Sequence, residues 1–287
     1  MSGAVRARWR RKRFEILNAL GLARRGWFIP YRYLDASPPP REPYPEAAFE
    51  AALPEMRRTL EAAAAYRDAW PGFAGRPEPP TPRFDQDWFP GLDAALLYGL
   101  VRARRPRRIV EVGSGHSTRF AAAAIRDEGL DARIHAIDPA PRAAIERLAP
   151  IVELTRAPVQ AVGFGPFAAL APGDILFVDS SHVLMPGSDV DILFNRVLPR
   201  LPVGVLVHVH DIFLPDPYPA DWDWRGYNEQ NAAAALIGGG GYGLLASSRF
   251  AETRMADDVR RLFADLPPSP PGARAASLWL EKRVGAA

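Results

Sequence analysis

Residues 108–120, reading RIVEVGSGHSTRF, constrain the fold of this chain more than any other stretch. Ile109, Val110 and Val112 make a short apolar run of β-branched residues, the composition of a buried strand. Gly113 and Gly115 break that run. Ser117 and Thr118 can cap a helix, and FAAAAI from Phe120 to Ile125 is strong helix material. The expected unit is a strand, a glycine turn and a helix, which lets a ligand approach bare backbone at a helix N-terminus.

From residue 105 onward strand-like and helix-like segments alternate, the signature of a parallel α/β sheet. Strands are expected at 109–112, 133–137, 152–154, 174–179, 205–210, 242–248 and 277–281, with helices near 117–127, 142–148, 190–198, 229–237 and 252–265. Residues 1–104 read differently. A basic stretch at 6–25 can form an amphipathic helix with Trp9, Phe14, Leu17 and Leu20 as packing positions, and an aromatic piece at 27–33 is broken by Pro30. Proline-rich connectors at 37–45 and about 71–82 separate helical spacing at 46–70 and 84–104. The predicted organisation is an N-terminal helical, proline-rich extension over 1–104 and an α/β domain over 105–287.

Composition narrows the function classes. With no cysteine among 287 residues, disulfides, thiolate nucleophiles and cysteine zinc sites are excluded. Residues 1–35 carry nine Arg or Lys against Glu15 and Asp35, which is +7, so the rest of the chain carries −4 of the total +3. Most such basic runs are simply solvated, but contact with an anionic surface through residues 6–25 is one expectation. No apolar run approaches the roughly 20 residues of a membrane span, and no cleavable leader is evident, so the cytoplasm is the expected location.

In an open parallel sheet, ligands bind at the carboxyl ends of the strands. Four acids end or bound strands there: Glu111, Asp138, Asp179 and Asp211. A carboxylate at Glu111, two residues before the first glycine, repels a dinucleotide's pyrophosphate and attracts a sulfonium or ammonium. Where the dinucleotide pattern wants a third glycine, this chain has Thr118. Asp138 lies 25 positions after Gly113 and can accept both hydroxyls of a ribose.

These residues resemble the motifs of the class I S-adenosylmethionine-dependent methyltransferases. EVGSG is similar to the family's first motif, acid-x-Gly-x-Gly, and IHAID to its second. GDILFVDSSHV (173–183) resembles the fourth, in which the acid ending the strand faces the methionine part of the cofactor and the acceptor. GVLVHVHDIFLP (204–215) resembles the strand and loop after it, and together with DPAPR these segments are similar to a bacterial subgroup of the family. The likeness implies a Rossmann-like methyltransferase sheet and S-adenosyl-L-methionine as cofactor. It implies cofactor binding by Glu111, Gly113, Ser114, Gly115, Ser117, Asp138 and Asp179, and a catalytic group of Asp179, His182, His210 and Asp211. The cofactor motifs span about 105–215, and the likeness over 1–83 is slight.

Methyl transfer is an in-line displacement on an activated sulfonium, so the protein must align the acceptor, desolvate it and remove its proton. His182 is the first candidate base, because imidazole titrates near neutral pH and Asp179 lies beside it in sequence. His210, nearest the strand end, is preferred to His208 on the same sheet face. Adjacent strands would set Asp179 and Asp211 about 5 Å apart, a spacing that suits a divalent cation. The catechol-type enzymes, however, add an asparagine after the second acid, and here that position is Ile212, so no metal ligand is assigned. The expected reaction is O-methylation of a small-molecule or glycan hydroxyl. The aromatic, acidic loop at 213–227 suits either a polyhydroxylated acceptor or packing against the N-terminal helices. The alternatives are an NAD-linked oxidoreductase, a metal-dependent hydrolase on His208-x-His210-Asp211, and a non-catalytic basic-headed adaptor retaining the fold. A homo-oligomer is compatible with each.

Overall fold

A computed structural model describes residues 3–29, 31–33 and 41–285. Pro30 and residues 37–40 of the first proline-rich connector therefore lie outside the described residues. Seven strands, β1 (Arg108–Val112), β2 (Arg133–Ile137), β3 (Val152–Thr155), β4 (Ile175–Val178), β5 (Leu206–Val209), β6 (Tyr242–Ser247) and β7 (Leu278–Lys282), form one sheet. Its order is β3-β2-β1-β4-β5-β7-β6. β1 to β5 run parallel, and β7 lies antiparallel between β5 and β6. Every residue of β4 and β5 is buried, which explains why these strands read as continuous apolar runs rather than alternating ones. The chain reverses its strand order at the β1–β4 pair, where such sheets open a crevice at their carboxyl ends.

Two compact units divide the chain. One comprises Glu42–Tyr218 and Tyr227–Ala287, the other Met1–Arg41 and Pro219–Gly226. The sheet's unit therefore begins at Glu42, not at the expected boundary of 104/105. The physical reason is burial: Met56, Leu60, Trp70, Phe73 and Phe84 are core residues, and Phe73 packs edge-on to both Tyr98 and Phe120 at ring separations of 5.2 and 5.6 Å. The helix Gly91–Arg104 is buried from Gly91 through Val101. Against it lies the helix Leu53–Ala64. A Cβ at Gly99 would stand 2.4 Å from the Ala63 Cα, so the glycine permits that close approach.

Two other expectations change in detail. The helix expected at 142–148 is one 3-10 turn, Ile145–Leu148, because Ala143 and Ala144 adopt positive φ (64° and 51°) after the two prolines Pro139 and Pro141. The single helix expected at 252–265 is two, Ser248–Arg254 and Ala256–Leu262, the first capped by Ser247 Oγ accepting from the Phe250 amide.

In the second unit, the helix Gly3–Ala19 carries the basic stretch. Arg11 donates to the Trp224 carbonyl, Arg8 lies over the Trp224 ring, and Arg41 pairs with Asp223. The 219–226 part of the aromatic loop thus keeps company with the N-terminal basic residues, in line with the packing reading. No helix among the described residues is long and apolar enough to cross a membrane.

Candidate active site

At the β1–β2 end, the glycine turn is wedged between its neighbours. Gly113 donates its amide to the Ile137 carbonyl at 3.0 Å and has φ of 80°. An added Cβ there would fall 1.9 Å from the Asp179 carbonyl oxygen, so only glycine fits. Gly115 differs: a Cβ there meets nothing within 4 Å, which leaves its side open to a ligand. Thr118 Oγ1 accepts from the Gly115 amide at 2.9 Å, satisfying one donor of the helix His116–Asp127.

Glu111 is 2% exposed. Its Oε1 accepts from the Ser117 hydroxyl at 2.6 Å, and its Oε2 is buried without a hydrogen-bond partner. Burial, outweighing the Ser117 hydrogen bond, pushes the carboxyl up to about 8, so Glu111 holds its proton at neutral pH. Ser117, expected to touch the cofactor, is itself buried and turned inward onto Glu111, which makes it that residue's support. Asp138 accepts from the Ser114 amide and hydroxyl, both at 2.8 Å, and from the Ala140 amide at 2.7 Å. These bonds tie the end of β2 to the glycine turn.

At the β4–β5 end, acids and histidines interleave. His182 Nε2 lies 3.3 Å from Asp179 Oδ1 and 3.4 Å from Asp211 Oδ2, while its Nδ1 lies 2.8 Å from Glu229 Oε2. His210 Nδ1 lies 3.5 Å from Asp179 Oδ1 and 3.6 Å from Asp211 Oδ1, and its Nε2 is 3.6 Å from Asp93 Oδ2. Burial alone would lower both imidazoles. Asp211 and Asp179, joined by Glu229 at His182 and by Asp93 at His210, reverse that and hold both well above the ordinary histidine range. Burial likewise works to raise Asp179, but His210 and then His182 outweigh it and hold the carboxyl below its usual range. Of these side chains Asp179 is the accessible one, at 37%, against 6% for either histidine and 13% for Asp211.

The structure therefore brings Asp179, His182, His210 and Asp211 together. Three carboxylates, those of Asp179, Asp211 and Glu229, face the His182 imidazole and favour its charged form. His208 is structural: buried, bonded through Nε2 to Ser277 Oγ at 2.8 Å and stacked on Phe177. Asp179 and Asp211 share both histidines as partners, but among the described residues no group of three or more His, Cys, Asp or Glu is arranged to hold a metal ion. Sequence reasoning missed Glu229 and Asp93. Each sits in the first turn of a helix, where an acid reads as a helix-dipole complement, and only the folded chain carries it to a histidine. Arg142 lies 4.2 Å over the exposed Trp88 ring.

Residues 110–212 match the family profile described as a methyltransferase domain. No curated protein sequence matches the chain. Among solved structures, SAH-bound PaMTH1, a methyltransferase of Podospora anserina, is similar at 16% identity over 91% of this chain and 100% of that one, with a TM-score of 0.42. Cofactor-bound Rv0187 from MTB is similar at 17% identity over 84% and 98%, TM-score 0.43. Apo CmcI is similar at 16% identity over 76% and 84%, TM-score 0.43. Residues 110–212 hold the glycine turn and all four strand-end acids, so the match to a methyltransferase domain falls on the part of the chain that carries the candidate site.

Proposed function

We propose that the protein transfers a methyl group from S-adenosyl-L-methionine to a hydroxyl oxygen of a small molecule or glycan. The observation that carries the choice of oxygen is the Asp179 carboxylate beside the glycine turn, held by His182 and His210 and accessible to the hydrogen bond of an acceptor hydroxyl. The residues fit the cofactor. Glu111 Oε2, buried and unpartnered, is a ready acceptor for a cationic group, Gly115 leaves open space, and Asp138 keeps acceptor capacity beyond its three bonds. S-adenosyl-L-methionine, when bound, supplies a methyl group on a sulfonium sulfur.

In this reading Glu111 gives up its proton to meet the cofactor's positive charge, and Ser114 and Asp138 orient its nucleoside end. Asp179, the accessible carboxylate, accepts a hydrogen bond from the acceptor hydroxyl and aligns its lone pair for attack. His182 and His210 hold Asp179 in place and ionised. The protonated ether formed on attack is a strong acid, so even a carboxylate held low can take its proton. A cytoplasmic site of action, use of residues 6–25 on an anionic surface and self-association belong to the same proposal.

Calorimetry with S-adenosylhomocysteine on the wild type and Asp138→Ala, followed by a screen of hydroxylated acceptors with isotopically labelled methyl donor, tests it. Binding weakened by the substitution and label on oxygen are expected. A wild-type protein that gives no heat of binding, or label found only on nitrogen or carbon, would overturn the reading.

A further inference from the structure

We propose that Arg83 and Arg119, with His116, form a receptor for a carboxylate group next to the glycine turn. His116 is the first residue of the twelve-residue helix that comes after Gly115, so any ligand there also meets a helix N-terminus. Arg119, one turn on, is only 4% exposed, and its Nε is buried with no hydrogen-bond partner. Arg83 Nε and His116 Nδ1 are buried and unpartnered as well. Among the described residues neither arginine side chain has a hydrogen bond or an ion pair.

The half-buried arginines elsewhere in this unit are paired: Arg102 with Glu128, and Arg249 and Arg254 with Asp216. A guanidinium cannot shed its charge, so leaving one buried without a counter-ion is a standing cost that an anion would relieve. The group also crowds itself. Arg83 and Arg147 both repel Arg119, and after burial, Arg119 and Arg83 hold the His116 imidazole down to about 4.

A cleft of about 280 Å³ opens onto Arg83 and His116, flanked by Trp88. Two carboxylates share the cleft: Asp85 is bonded to Arg76 at 2.6 Å and also feels Arg83, and the exposed Asp87 acts on His116, but neither makes an ion pair with Arg83 among the described residues. The planar fork of Arg83, which lines the cleft, suits a carboxylate. That group comes either from the amino-acid end of the cofactor or from an acidic acceptor, and only this choice of source rests on the methyl-transfer reading.

The test uses the full chain as wild type, Arg83→Gln, Arg83→Lys and Arg119→Gln. Binding of S-adenosylhomocysteine is compared with that of 5′-methylthioadenosine, which lacks the amino-acid end, and succinate is titrated into protein saturated with S-adenosylhomocysteine. If the cofactor supplies the carboxylate, Arg83→Gln weakens S-adenosylhomocysteine by about tenfold or more, leaves 5′-methylthioadenosine unchanged, and is partly rescued by Arg83→Lys. If the acceptor supplies it, S-adenosylhomocysteine is unaffected and succinate binding is lost. Succinate stabilisation that depends on Arg83 in a protein that never binds S-adenosylhomocysteine would keep the receptor and remove the methyl-transfer reading. Unliganded Arg119→Gln is expected to melt no lower than wild type, because an uncompensated charge has gone. A lower melting temperature with unchanged ligand binding, or no effect of Arg83→Gln in either titration, overturns the proposal.

Discussion

The two halves of the sheet's carboxyl rim use the same device to opposite ends. At β1, a strand-end acid is buried with one hydroxyl for company, and burial pushes Glu111 up to about 8. At β4, the strand-end acid lies among two histidines whose charged forms the surrounding carboxylates favour, and Asp179 is held down. In the proposed reaction one rim stores a proton until a cation arrives, and the other keeps its charge until the acceptor's proton is released. An acid's place in the strand does not set its chemistry; the groups folded around it do.

The largest effect is expected at His182, where removing a buried cation leaves Asp179, Asp211 and Glu229 facing one another. His182→Asn, chosen because asparagine tolerates the positive φ of 59°, should cost about 3–5 kcal/mol in urea unfolding and abolish methyl transfer. A loss below about 1 kcal/mol would mean that the imidazole is neutral and the contrast between the rims false.

Next comes Gly113→Ala, which drives a Cβ against the Asp179 carbonyl and should destabilise by about 2–3 kcal/mol by the same measurement. The comparison sharpens within the turn itself. Gly115→Ala should change stability by less than about 1 kcal/mol and weaken S-adenosylhomocysteine in calorimetry, since that side is open.

The pH dependence separates the rims further. Glu111 has a folded pKa near 8 against an ordinary 4.5, so its contribution to stability is complete below about 4.5 and is lost as pH rises through about 8. Binding of a cationic cofactor at this carboxylate releases the proton, so affinity should rise by up to about tenfold per pH unit below 8. Glu111→Gln should flatten both profiles. His182 also loses its contribution as pH rises, but beginning above the ordinary 6.5 of histidine, whereas the stability Asp179 contributes is present above 3.8 and lost only as acid titrates it. A wild-type affinity profile indistinguishable from that of Glu111→Gln would show that Glu111 does not meet the cofactor's charge.

Much of this was readable before folding was considered. The strand–glycine–helix unit, seven strands within a residue or two of their observed ends, and the four acids on one rim all come from local signals: β-branched runs, glycine breaks and an acid at each strand end. These are properties of neighbours in sequence, so sequence determined them. The domain boundary was not among them, because prolines at 71–82 look like a linker whether or not Trp70 and Phe84 on either side are buried. Nor were the inward turn of Ser117, the three carboxylates gathered around His182, or the contact of Asp93 with His210. Each depends on a partner reached only through the tertiary structure: Glu229 is 47 residues from His182, and a titrating group takes its character from charges a few ångströms away in space, wherever they lie along the chain.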